Sequence, residues 1–162
     1  MGFIFRFLLL FFALTVIVSA NNIIDIDKKI EQAQKEKKIV MFFFHIPHCQ
    51  YCKGMLDENF NNKKIVELIK ENFILVDIYT ADKRDVVFKS FKGSTKEFAQ
   101  YTGADAYPAT LFMDRSSKVF YKAIGYRNIQ EYIYEIKYIT TNSYKKIELD
   151  AFILKMEFED DE

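Results

Sequence analysis

Six consecutive apolar residues, Ile39-Val40-Met41-Phe42-Phe43-Phe44, run straight into His45-Ile46-Pro47-His48 and then Cys49-Gln50-Tyr51-Cys52. An unbroken run of β-branched and aromatic side chains, with no polar alternation, reads as a strand buried on both faces. It is expected at the centre of the fold, with the cysteine pair opening a helix directly after it.

The flanking segments fit an α/β arrangement. Asp25 to Lys38 carries Ile26, Ile30 and Ala33 at helical spacing, with Asp25 placed to cap the start. Lys53 to Phe60 and Lys63 to Glu71 read as helical, and Phe73 to Tyr79 as a second apolar strand completing a βαβ unit. Thr80 to Ser94 is polar around Val86-Val87-Phe88 and reads as an added hairpin or loop. Ser94 or Thr95 caps a helix running to Tyr101 that Gly103 closes. A strand follows at Tyr107 to Met113 with proline near its start, where a missing N–H does least harm. Asp114 to Ser117 turns into a strand at Lys118 to Ile124, and Asn128 to Thr140 repeats Ile129, Ile133, Ile136 and Ile139 on one helical face. Ser143 to Met156 supplies a further helix, and the acidic end from Glu157 to Glu162 is expected to fray.

With 162 residues, half of them hydrophobic and 28% charged, the chain suits one domain with one core. The 23 basic side chains balance 23 acidic ones, so no basic field is available to draw the protein onto nucleic acid.

Residues 1–20 differ from the rest. Arg6 is their only charge, Phe7 to Val18 is apolar apart from Thr15, and Val18-Ser19-Ala20 offers small residues for cleavage. This is the pattern of a secretory signal peptide, leaving residues 21–162 as the mature domain. A retained membrane anchor is the alternative, but a spanning helix needs about 20 apolar residues and this run is shorter. Outside the cytosol, in the periplasm on this reading, a close cysteine pair can persist as a disulfide.

A Cys-x-x-Cys pair can be a redox dithiol, half of a zinc site or an inert bridge. Zinc ordinarily takes four ligands, and no second Cys or Cys/His pair occurs at ligand spacing. An inert bridge closing so short a loop stabilises little. A cysteine at the first turn of a helix, by contrast, faces unpaired N–H groups that favour thiolate, which makes Cys49 the expected nucleophile and Cys52 the resolver.

The strand-loop-Cys-x-x-Cys-helix, the second strand and the later proline-led strand together resemble the thioredoxin superfamily over nearly all of the mature chain. Within it, His48-Cys49-Gln50-Tyr51-Cys52-Lys53 with Met55, the added segment, Tyr107-Pro108 and Gly125-Tyr126 are most similar to SoxW-like periplasmic thioredoxins. The resemblance implies a thioredoxin fold: a central mixed sheet flanked by helices, here with a C-terminal helical extension. It implies a protein thiol-disulfide oxidoreductase without cofactor or metal, acting as a monomer on exported proteins and supplied by a membrane-borne thiol donor. It further implies that Pro108 is cis against the cysteines, with the Tyr107 backbone pairing with the partner's chain. Unaided, an X-Pro bond is cis in about 5–6% of cases.

Departures from the pattern stand out. Cytosolic thioredoxins have tryptophan before the first cysteine, proline between the two, and a buried acid six residues earlier; here those places hold His48, Gln50-Tyr51 and Phe43. Glu58 is then the only nearby acid in sequence that offers itself as a base for Cys52. Tyr51 is expected to be partly exposed and to contribute to an apolar partner groove. His45 and His48 read as loop residues, and His48 is a candidate for tuning the Cys49 thiolate. Two alternatives remain: an oxidase or isomerase of the Dsb type, and a copper metallochaperone using His45, His48, Cys49 and Cys52.

Overall fold

The computed structural model describes residues 23–160, so the signal-peptide reading lies outside the described residues. A short strand, β1 (Ile23–Asp25), leads into α1 (Ile26–Glu36), where the Asp25 side chain accepts the Lys28 N–H at 3.0 Å. The expected apolar face of α1 is buried through Ile26, Ile30 and Ala33. β2 (Ile39–His45) is buried from Val40 to Phe44. The chain then forms α2 (Gln50–Gly54), which widens into a π turn (Met55–Asn59), and returns through α3 (Lys63–Asn72) to β3 (Phe73–Tyr79). β3 lies parallel to β2, with Phe43 opposite Asp77 and His45 opposite Tyr79.

The added segment is a hairpin of β4 (Asp85–Phe88) and β5 (Phe91–Ser94). β4 also pairs parallel with β1, which makes a separate three-stranded sheet β1-β4-β5 beside the main one. α4 (Thr95–Thr102) starts on a capping box between Ser94 and Glu97 and stops at Gly103, whose φ of 75° lies where side chains with a Cβ are disfavoured. β6 (Ala109–Met113) and β7 (Val119–Ile124) complete a mixed sheet ordered β3-β2-β6-β7. α5 (Ile129–Thr140), a short 3-10 turn (Ser143–Lys145) and α6 (Leu149–Asp160) close the chain.

Because alternate residues of β2 point to opposite faces, it serves two cores at once. Phe42 and Phe44 meet Phe98 of α4 on one face, the Phe42 and Phe98 rings 5.7 Å apart. Met41 and Phe43 pack with α3 and α5 on the other.

Three details differ from the sequence reading. The strand expected from Tyr107 begins at Ala109, because β-pairing starts opposite Phe44. Ile129 is exposed at the first turn of α5, while Tyr132, Tyr134 and Tyr138 are buried, Tyr132 with its ring 6.0 Å from that of Phe60 and Tyr138 with its ring 5.3 Å from that of Phe152, which α6 brings onto a second side of the helix. The acidic end continues as helix to Asp160. Among the described residues no helix is long and apolar enough to cross a membrane.

Candidate active site

The chemistry-bearing residues gather where β2 ends. Ile46 and Pro47 leave the sheet, and His48 adopts a left-handed φ of 56° that turns the chain into α2. Cys49 is thereby the N-cap residue: its Sγ accepts the Cys52 N–H at 3.1 Å, a donor the helix itself cannot satisfy. The two cysteines form a disulfide with Cα atoms 5.2 Å apart. They are unequally exposed. Cys49 is partly exposed and Cys52 is 2% exposed.

β6 reaches the same end of the sheet. Phe44 pairs with Ala109, so Pro108 lies at the level of His45, immediately before the cysteine loop. The Tyr107-Pro108 bond is cis, in agreement with the resemblance, and the Pro108 carbonyl accepts the Gly125 N–H at 2.8 Å. Pro108 is buried and Tyr107 half-buried.

Tyr51 is 67% exposed, its ring 6.3 Å from that of Tyr126. Gly54 explains how Tyr126 sits there. A Cβ on Gly54 would stand 3.0 Å from Cε2 of Tyr126, so glycine lets the ring lie on the active-site helix. The Tyr126 hydroxyl donates to Glu58 at 2.5 Å, which engages that carboxylate at the surface.

Below the helix, the π turn is held by a buried clasp that sequence patterning did not reveal. Asn59 is fully buried, and its Nδ2 donates to the Met55 sulfur at 2.9 Å and to the Arg127 carbonyl at 2.7 Å. Arg127 in turn places its Nε 3.6 Å from Oε2 of Glu135, an ion-pair distance without a hydrogen bond, while the Tyr121 hydroxyl donates to Oε1 at 3.3 Å. Glu135 has no exposed surface. Burial pushes its carboxyl above the ordinary value of 4.5, with Arg127 and Tyr121 pulling the other way. Folding therefore favours the protonated form: its stabilisation is full below the unfolded value and is lost as pH rises through the raised one. Glu135→Gln should flatten that decline. Urea midpoints measured from pH 4 upward should draw progressively in the variant's favour, and parallel curves for the two proteins would refute the assignment.

His45 is not a loop residue. It ends β2, with its imidazole stacked between Phe43 (5.5 Å) and Tyr79 (4.9 Å) and its Nε2 2.9 Å from Oδ1 of Asp77. His48 is exposed. Among the described residues no group of three or more His, Cys, Asp or Glu side chains is arranged to hold a metal ion.

A thioredoxin-like domain matches residues 26–140 of this chain. The chain belongs to the thioredoxin-like domain family. Its sheet, its flanking helices and its Cys-x-x-Cys at the end of the central strand constitute the thioredoxin fold, with α6 as a C-terminal addition. Solved structures agree. It is similar to a thioredoxin-fold protein from Helicobacter pylori at 22% identity and a TM-score of 0.63, covering 73% of this chain and 83% of that one. It is also similar to a thioredoxin from Thermus thermophilus (17%, TM-score 0.56, 74% and 86% covered). A third likeness is to the oxidised C-terminal domain of DsbD from Neisseria meningitidis (15%, TM-score 0.51, 68% and 89% covered). At these identities the likeness establishes the thioredoxin-like fold. No curated protein matches the chain.

Proposed function

We propose that this thioredoxin-like protein is an exported thiol-disulfide oxidoreductase, and specifically a disulfide reductase of the SoxW-like kind. On this reading it acts as a monomer in the periplasm, takes electrons from a membrane-borne thiol donor, and passes them to disulfides of exported proteins. The observation that carries the exchange chemistry is the inequality of the pair: the Cys49 sulfur is reachable and receives the Cys52 N–H, while Cys52 is buried one turn behind it. An N–H aimed at the sulfur favours its anionic form, and the thiolate is the attacking species.

Cys49 thiolate attacks one sulfur of a partner disulfide, expelling the other as thiolate and forming a mixed disulfide. Cys52 then attacks Cys49 Sγ, the mixed bond breaks, and the partner leaves with both of its sulfurs reduced. Two electrons pass from the pair to the partner. Tyr51 and the Tyr107-Pro108 segment would flank the incoming chain, and His48, exposed one residue before Cys49, would add positive charge beside the thiolate when protonated.

Equilibration with glutathione at defined ratios, read by thiol alkylation, tests the direction. A reduction potential near the thioredoxin value of about −270 mV supports the reductase, whereas one near the DsbA value of about −120 mV makes the protein an oxidase. A pair that cannot be cycled reversibly would refute both.

A further inference from the structure

Closure of the 49–52 bridge needs the Cys52 thiol to lose its proton, and Cys52 is buried with no carboxylate assigned to it. The position six residues before Cys49 holds Phe43, Glu58 is bound by Tyr126, and Glu135 is engaged by Tyr121 and Arg127. One side chain does share a groove with both cysteines and carries its own counter-charge. A groove of about 530 Å³ is lined by His45, His48, Cys49, Cys52, Leu56 and Tyr79, among others.

We propose that His45, steadied by Asp77, is the proton acceptor for Cys52 in the resolving step. This rests on the exchange function proposed above. The stack between Phe43 and Tyr79 fixes the plane of the imidazole. Nε2 lies 2.9 Å from the Asp77 carboxylate but outside hydrogen-bonding alignment, so the nitrogen is buried beside a negative charge with no bond committed to that charge. The carboxylate offsets the charge of the imidazolium that proton uptake creates.

In the step, the Cys52 S–H proton passes to the imidazole, directly or through one water in the groove. The thiolate so formed attacks Cys49 Sγ, and the partner sulfur leaves with the electron pair of the broken bond. The imidazolium then yields its proton to that leaving thiolate or to solvent, so no proton or electron is left over. Asp77 is a positioning residue, 59% exposed in its side chain on the edge strand. The other ionisable groups around His45 are Tyr79 on β3, His48 on the loop, and Lys53 on α2, which is paired with Asp57. Arg84, beyond β3, feels the charge of Asp77 while bonded to Asp82.

The test follows the two half-reactions of the full chain separately with oxidised glutathione as the probe. Mixed-disulfide formation is read in a Cys52→Ser background and bridge closure in single turnovers of the Cys52-containing protein, each across pH 5–9. His45→Asn should slow closure by about 100-fold or more near neutral pH, leave the rate of mixed-disulfide formation essentially unchanged, and recover part of its closure rate with added imidazole. Asp77→Asn, on an exposed edge, should fold normally and alter the pH profile of closure, a readout that a purely structural role would leave in place. An unchanged closure profile in both His45→Asn and Asp77→Asn overturns the assignment while leaving the exchange function standing. Failure of the unmutated protein to close the bridge at any pH overturns the exchange function instead.

Discussion

In a Cys52→Ser variant, disulfide exchange is expected to stop half-way, with the protein accumulating as covalent adducts on Cys49 in close to stoichiometric amount. The reason is positional. Cys49 presents a partly exposed sulfur that accepts an N–H, so attack proceeds, but the buried sulfur one turn behind it is the only internal group able to release the product. Cys49→Ser should instead reduce exchange to the uncatalysed background, because a serine hydroxyl at neutral pH supplies no comparable nucleophile. Non-reducing gels of the two variants mixed with glutathionylated or disulfide-bonded carrier protein distinguish these outcomes. Adducts on Cys52 in the Cys49→Ser protein, at the rate seen on Cys49, would reverse the assigned roles. The same trap, used in a cell extract, would identify the physiological partners.

Phe42→Ala should be the most damaging of the simple core truncations, costing about 3–5 kcal/mol. Phe42 is fully buried in the central strand and contacts the Phe44 and Phe98 rings at 5.9 and 5.7 Å, so its loss opens a cavity that strands hydrogen-bonded on both sides cannot collapse to fill. Against a typical stability of about 5–15 kcal/mol this is a large fraction. Urea denaturation of the oxidised protein measures it directly, and a loss under about 1 kcal/mol would mean the site relaxes far more than its packing implies.

Much of this architecture is legible in the sequence because it is written in local periodicities. The Ile26, Ile30 and Ala33 spacing located α1, the unbroken apolar run located β2, and Ser94 and Gly103 bracketed α4 as helix signals. The cysteine pair and its inequality followed from the same local logic. What escaped depends on partners far along the chain. β1 is three residues long and exists by pairing with β4, a contact that no local pattern encodes. The π turn has no periodic signature of its own, since its clasp joins Asn59 to the carbonyl of Arg127. Glu135 reads as one more polar residue of a helix until α5 is seen to be enclosed on two sides. His45 gains its meaning only from the parallel register that sets β2 beside β3 and brings Asp77 within reach. The single indirect signal was Phe43: an aromatic where an acid was expected announced that protons must travel by another route.

The sheet order β3-β2-β6-β7 also bears on how the protein comes into being. A polypeptide emerges from ribosome or translocon amino end first, so both cysteines are exposed to the surroundings well before the residues that shape their site. Phe44 must wait for Ala109, and the turn at Pro108 is secured only when Gly125 arrives to bond its carbonyl. Until then the nascent chain carries two ordinary thiols just beyond an unpaired, aggregation-prone strand. A newborn molecule therefore passes through a window in which its cysteines are open to the thiol chemistry of others before the fold around them exists.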